Sequence, residues 1–150
     1  MEPSINCVNL IKKFEGFYAN SYLDPVGIWT IGYGSIMYPD GTKVQKGQKI
    51  TLEAAEKLLL WEIKNKFHAF PKLSLNQNQL DACLSFCYNL GMGAFKGSTL
   101  CRKAKINPND PTIRAEFMKW TKARVDGKLT ELAGLVKRRK AEADLYFKAI

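Results

Sequence analysis

The chain has no apolar run long enough to cross a bilayer. Its richest stretch, LLLW at 58–61, is broken at once by Glu62 and Lys64, well short of the roughly 18 residues a span needs. The N-terminus, MEPSIN, carries an acid and a proline but no basic segment, so it does not read as an export signal. Histidine occurs once, at His68, with no cysteine near it, and Cys7, Cys83, Cys87 and Cys101 show no CxxC spacing. That argues against a zinc site and leaves four free, buried or half-buried thiols as the expectation. Cys83 and Cys87, four apart on one expected helix, are poorly placed to bridge each other. Acids are scarce beside bases, 14 against 23, for a net charge of +9. Such an excess implies a polyanionic partner: nucleic acid, an anionic membrane surface or an anionic wall polymer. No RNP-type strand, finger spacing or recognition helix supports nucleic acid, which is set aside.

What is present is ordinary globular composition over 150 residues, enough for one domain with a real core. Ser4 can cap a helix over 4–15, with Ile5, Val8, Ile11 and Phe14 at helical spacing and Gly16 to end it. From 17 to 50, glycines and prolines punctuate short β-prone runs such as IWTIGYG, predicting a small antiparallel sheet of two or three strands. Thr51 then starts a long amphipathic helix towards Phe67, and residues 76–90 read as an apolar helix closed by Gly91. A shorter helix follows Ser98. Asp110-Pro111 predicts a helix over 111–122, and a last helix covers roughly 131–149. The expected architecture is α+β: a β-rich lobe over 17–50, a helical lobe over 51–150 together with helix 4–15, and a cleft between them.

Chemistry concentrates in FEGFYANSYLDPVGIWTIGYG, where Glu15 is followed by Asp24 and then Thr30. Two acids flanking a tight turn suit hydrolysis of a glycosidic bond, one protonating the leaving oxygen and the other working on the far face of the sugar. Glu15 ends the first helix, where the partial negative charge disfavours an ionised carboxylate. Phe14, Phe17 and Tyr18 promise some desolvation in the same direction, and a nearby arginine would oppose both. Asp24 precedes Pro25 on a wetter loop that suits an ionised partner, and Thr30 beside it could hold a water. Spacing alone leaves the bland alternative open: a helix-end acid, a turn aspartate and a strand threonine.

Three blocks carry a resemblance. FEG at 14–16 with Asp24 and TIGYG at 30–34, SFCYNLG at 85–91 running on through Phe95 to Ser98, and Lys128-Leu129 with GLVKRR at 134–139 and Glu142 together resemble the phage-type lysozymes, the endolysins of glycoside hydrolase family 24. The resemblance implies a lysozyme-like fold and hydrolysis of the β-1,4 bond between N-acetylmuramic acid and N-acetylglucosamine in peptidoglycan. It implies Glu15 as acid, Asp24 as partner carboxylate and Thr30 as holder of the water, with inversion and the carboxylates about 6.5–9.5 Å apart. It places Tyr88, Asn89 and Ser98 as substrate contacts and Arg138 as the residue that orients the acid. No cofactor or metal is expected. The implied partners are glycan strands and, through a basic surface including Lys137, Arg139 and Lys140, anionic wall or outer-membrane polymers. A monomer is expected, waiting in the host cytoplasm until a holin opens the membrane. One departure stands out: Ser35 follows the second glycine where some relatives have histidine, which could anchor the hairpin through an ion pair. The competing readings are a lytic transglycosylase and a non-catalytic wall-binding module on the same fold.

Overall fold

A computed structural model describes residues 1–150. Helix α1 (Ile5–Glu15) starts where Ser4 Oγ accepts from the Asn6 amide and ends at Gly16, whose φ of 72° a side chain would resist. Strands β1 (Tyr18–Leu23) and β2 (Trp29–Gly32) pair antiparallel, with Tyr22 opposite Thr30 and Leu23 opposite Trp29, and with an irregularity between Tyr18 and Tyr22. The rest of the 17–50 segment is held by isolated bridges, Asn20 to Lys49, Ile31 to Ser35 and Met37 to Lys43, so two strands form rather than three.

Helix α2 (Leu52–Phe67) is capped by Thr51, and α3 (Gln77–Leu90) opens with a reciprocal Asn76–Gln79 capping box. Ten consecutive residues of α3, Asn78 through Cys87, are buried, which makes this helix the axis of the molecule. Short helices α4 (Met92–Lys96) and α5 (Thr99–Ile106) follow. Asp110 is not the cap expected: it accepts the amide and the hydroxyl of Thr112 within the turn that precedes the next helix, and the N-cap position falls to Thr112, which makes no side-chain cap bond. That helix, α6 (Ile113–Phe117), lasts five residues instead of the twelve expected. Beyond it comes a hairpin the sequence reading did not foresee, β3 (Lys122–Val125) and β4 (Lys128–Glu131), turning at Asp126-Gly127 with positive φ at both residues. The lobe after residue 51 is therefore not purely helical. Helix α7 (Ala133–Tyr146) closes the chain against α3.

The largest core cluster joins Phe86, Phe95, Leu100, Ile113, Phe117 and Tyr146 around α3. A second packs Ile11, Leu59, Ile63 and Leu84 where α1, α2 and α3 meet. Buried Asp81 ties the two together by accepting the amide and hydroxyl of Ser4, so α3 fixes the start of the helix that carries Glu15. All four cysteines are buried free thiols, and burial pushes Cys87 up to about 12. They act as core residues and are poor nucleophiles. No helix is long and apolar enough to cross a membrane.

Candidate active site

Glu15 leaves the last turn of α1 with its side chain 24% exposed. Its Oε2 takes Arg138 Nη1 at 2.5 Å. Its Oε1 lies against the backbone of Gly34, where a Cβ would approach to 3.0 Å at a φ of +89°. Only glycine can back the carboxyl this closely. The aromatic shield expected around Glu15 is incomplete, since Phe17 and Tyr18 stand 38% and 48% exposed.

Asp24 and Thr30 are both bound to Ile28. Asp24 Oδ1 accepts from the amides of Val26 (2.9 Å) and Ile28 (2.8 Å). The Ile28 carbonyl in turn accepts from the Asp24 amide (2.9 Å) and from Thr30 Oγ1 (3.0 Å). Asp24 Oδ2 takes part in none of these bonds. The turn 24–28 thus presents one carboxylate oxygen and one hydroxyl in fixed relation. Thr30 is buried, and so are Ile31, Gly32 and Tyr33 after it, so both faces of β2 are covered there.

Arg138 is 4% exposed and is held from behind by Glu142 Oε2 at 3.4 Å and by the Ser85 carbonyl at 3.3 Å. Glu142 is wholly buried, accepts the Ser85 hydroxyl at 2.6 Å and contacts Arg139 Nε at 2.7 Å. Burial pushes its carboxyl up and the two guanidiniums pull it down. With two cations on one carboxylate, the ionised form is the one this packing accommodates.

Arg139 corrects the sequence reading. It does not belong to the basic surface: it is fully buried, donates to Asn89 Oδ1 at 2.7 Å and lies 5.1 Å over the Phe86 ring. In the run KRRK the helical turn points Lys137 and Lys140 to solvent and both arginines inward.

The other expected contacts divide. Asn89 lines a depression of about 380 Å³ with Phe14, Glu15, Leu132, Leu135 and Arg138, so it does reach the neighbourhood of the acid. Tyr88 donates to the Tyr33 carbonyl at 2.8 Å and supports the turn that carries Gly34. Ser98 is buried, donates to the Phe95 carbonyl and caps α5 through the Cys101 amide. Its hydroxyl is spent inside the protein, so the substrate contact expected of it has no free group to make it. Sequence reasoning missed Tyr22, whose hydroxyl is held up by burial and by the charges of Tyr18, Glu15 and Asp24. It sits within the field of both carboxylates. Its place near the end of β1, two residues before Asp24, was the available signal.

Residues 12–142, which contain Glu15, the Asp24–Thr30 turn and Arg138, match the phage lysozyme family. The chain belongs to that family. Among phage lysozyme relatives, the endolysin of Acyrthosiphon pisum secondary endosymbiont phage 1 is 41% identical, over 91% of this chain and 92% of that protein. The endolysin of Bacillus phage B103 is 39% identical over 93% of the chain, which spans only 51% of that longer protein. A solved structure, the endolysin from Escherichia coli O157:H7 phage FAHEc1, superposes with a TM-score of 0.88 at 37% identity, covering 100% of this chain and 96% of that one. The α+β, lysozyme-like fold is established by that agreement, and the hairpin at 122–131 belongs to this phage lysozyme's helical lobe.

Proposed function

We propose that this chain hydrolyses the β-1,4 bond between N-acetylmuramic acid and N-acetylglucosamine with inversion, Glu15 acting as acid and Asp24 with Thr30 managing the water. As a phage lysozyme similar to endolysins, it is a peptidoglycan hydrolase that lyses bacterial cells. The observation that carries the finer reading is the pairing of an arginine-clamped carboxyl with a separate turn holding a carboxylate and a hydroxyl through Ile28.

Protonated Glu15 gives its proton to the glycosidic oxygen as the bond from the anomeric carbon breaks. Water held by Thr30 and Asp24 attacks that carbon from the opposite face, and its proton passes to Asp24. Arg138 then stabilises the carboxylate left on Glu15, so its charge favours the transition state over the ground state. Asn89 and the aromatics Tyr18 and Tyr22, whose tilted rings lie 4.4 Å apart between centroids, are the sugar contacts of this reading.

The test is product analysis on purified peptidoglycan. Reducing ends of inverted configuration are expected. Anhydro ends would mean a transglycosylase, and no cleavage would mean a wall-binding module; either result overturns the reading.

The basic surface is proposed to hold the protein on anionic wall or outer-membrane polymers. Lys137 is free, and a groove of about 470 Å³ is lined by Lys72, Lys96, Arg102 and Lys105 without an acid. Lysis of whole walls is expected to fall as ionic strength rises from about 0.01 M to 0.15 M, where the screening length drops from about 30 Å to 8 Å. Cleavage of short soluble glycans should fall much less. Equal salt dependence of the two would remove this role. Action as a monomer released through a holin-opened membrane completes the proposal.

A further inference from the structure

The two carboxyl oxygens of Glu15 meet unlike neighbours. Oε2 takes Arg138 Nη1. A guanidinium has only donors, so the oxygen facing it must offer a lone pair. A proton carried by Glu15 therefore sits on Oε1. That oxygen rests against Gly34, where an added Cβ would meet it at 3.0 Å and Tyr88 Oη at 3.5 Å. The turn that carries Gly34 is closed by Ile31 and Ser35, which exchange backbone bonds of 2.9 Å each. It is held in place from α3, where Tyr88 Oη donates to the Tyr33 carbonyl at 2.8 Å. The Tyr88 ring packs on the cluster where α1, α2 and α3 meet, and Lys66 of α2 lies over it, 4.5 Å from the centroid. Burial, then the charges of Glu62 and Glu15, keep the hydroxyl protonated, so it remains a donor to that carbonyl.

We propose that Tyr88 is a positioning residue for Glu15, fixing through the Tyr33 carbonyl the turn that backs Oε1 and so aiming the acid's proton at the glycosidic oxygen. The inference rests on the reading of Glu15 as the acid. Arg138 holds one oxygen from α7, and Tyr88 holds the support of the other from α3. A carboxyl fixed at one oxygen alone is free to turn, because the terminal torsion of a glutamate has a broad, shallow minimum. Fixed at both, it keeps the O–H bond in one direction. Proton transfer depends on that direction and on the reach to the leaving oxygen, so a small rotation of the carboxyl lowers the rate without weakening the binding of the sugar.

The experiment compares wild type, Tyr88→Phe, Lys66→Met and Glu15→Gln on two soluble substrates, with a thermal melt of each. One is a peptidoglycan oligosaccharide, whose leaving oxygen needs a proton. The other is a dinitrophenyl glycoside of the same saccharide, whose phenolate leaves without one. Tyr88→Phe keeps the ring under Lys66 and removes only the hydroxyl. On the oligosaccharide its kcat is expected to fall about 10-fold at unchanged KM, a part of the 10²–10⁴ that acid catalysis contributes. On the activated glycoside the loss should stay below about twofold. Lys66→Met, which keeps the hydroxyl and frees the ring, should show the same pattern with smaller losses. Equal losses of Tyr88→Phe on both substrates, or none on either, would overturn the proposal and leave the acid reading intact. So would a rise in KM at unchanged kcat, which would make Tyr88 a substrate contact. Oligosaccharide cleavage retained in Glu15→Gln would instead overturn the acid reading, and this inference with it.

Discussion

Glu15→Gln leaves the fold intact and lowers peptidoglycan hydrolysis by about 10²–10⁴-fold, the range general acid catalysis contributes. Glutamine keeps the shape of the side chain and an oxygen for Arg138 Nη1, and it fits against Gly34 as the carboxyl does. What it lacks is a proton to give. The thermal melt should therefore stay close to wild type while turnover collapses, and substrate binding should change little. Asp24→Asn should lose rate similarly, since an amide still accepts from Val26 and Ile28 but cannot take the proton of the water. A Glu15→Gln protein that clears a suspension of permeabilised cells at the wild-type rate would remove Glu15 from the chemistry.

Glu142→Ala has its main effect on stability. Glu142 is the only carboxylate facing both buried guanidiniums, and Arg139 has no other acid. Its removal leaves Arg139 buried with Asn89 Oδ1 alone, and Arg138 held only by Glu15 and the Ser85 carbonyl. Breaking a buried pair in this way costs about 3–5 kcal/mol. That is a large part of the 5–15 kcal/mol of a typical domain. At about 2–4 °C per kcal/mol for a chain of this size, the melting temperature falls by roughly 6–20 °C. Activity falls as well, because Arg138 loses the anchor that aims it at Glu15. A double replacement of Arg139 and Glu142 by apolar residues of similar volume should recover much of the stability, since no charge is then stranded. A Glu142→Ala protein melting within a degree of wild type would show that the network contributes little.

The helix-end position of Glu15 and the turn that joins Asp24 to Thr30 could be read in advance because neighbouring residues set them. Glu15 is the last residue before a helix-ending glycine, and Asp24 to Thr30 is a closed turn whose bonds span four residues. Arg138 could be placed through the family pattern, although its partner lies 123 positions away. Arg139 was misread because a run of like charges says nothing about which face of the helix meets another element. The polar residues Ser85 and Asn89, one turn apart in the largely apolar second half of α3, were the sign that something charged packs there. Asp126-Gly127 between alternating residues was a hairpin signal outweighed by the capping signal at Asp110.

Because Asp24 and Thr30 both fasten to Ile28, they cannot drift apart without breaking the turn itself. Any breathing of the two lobes carries them as one piece. A single coordinate, the gap from that piece to Glu15, is left to vary as substrate enters and leaves. Substitutions elsewhere in the chain can retune this enzyme by altering that gap, without disturbing how the water is held.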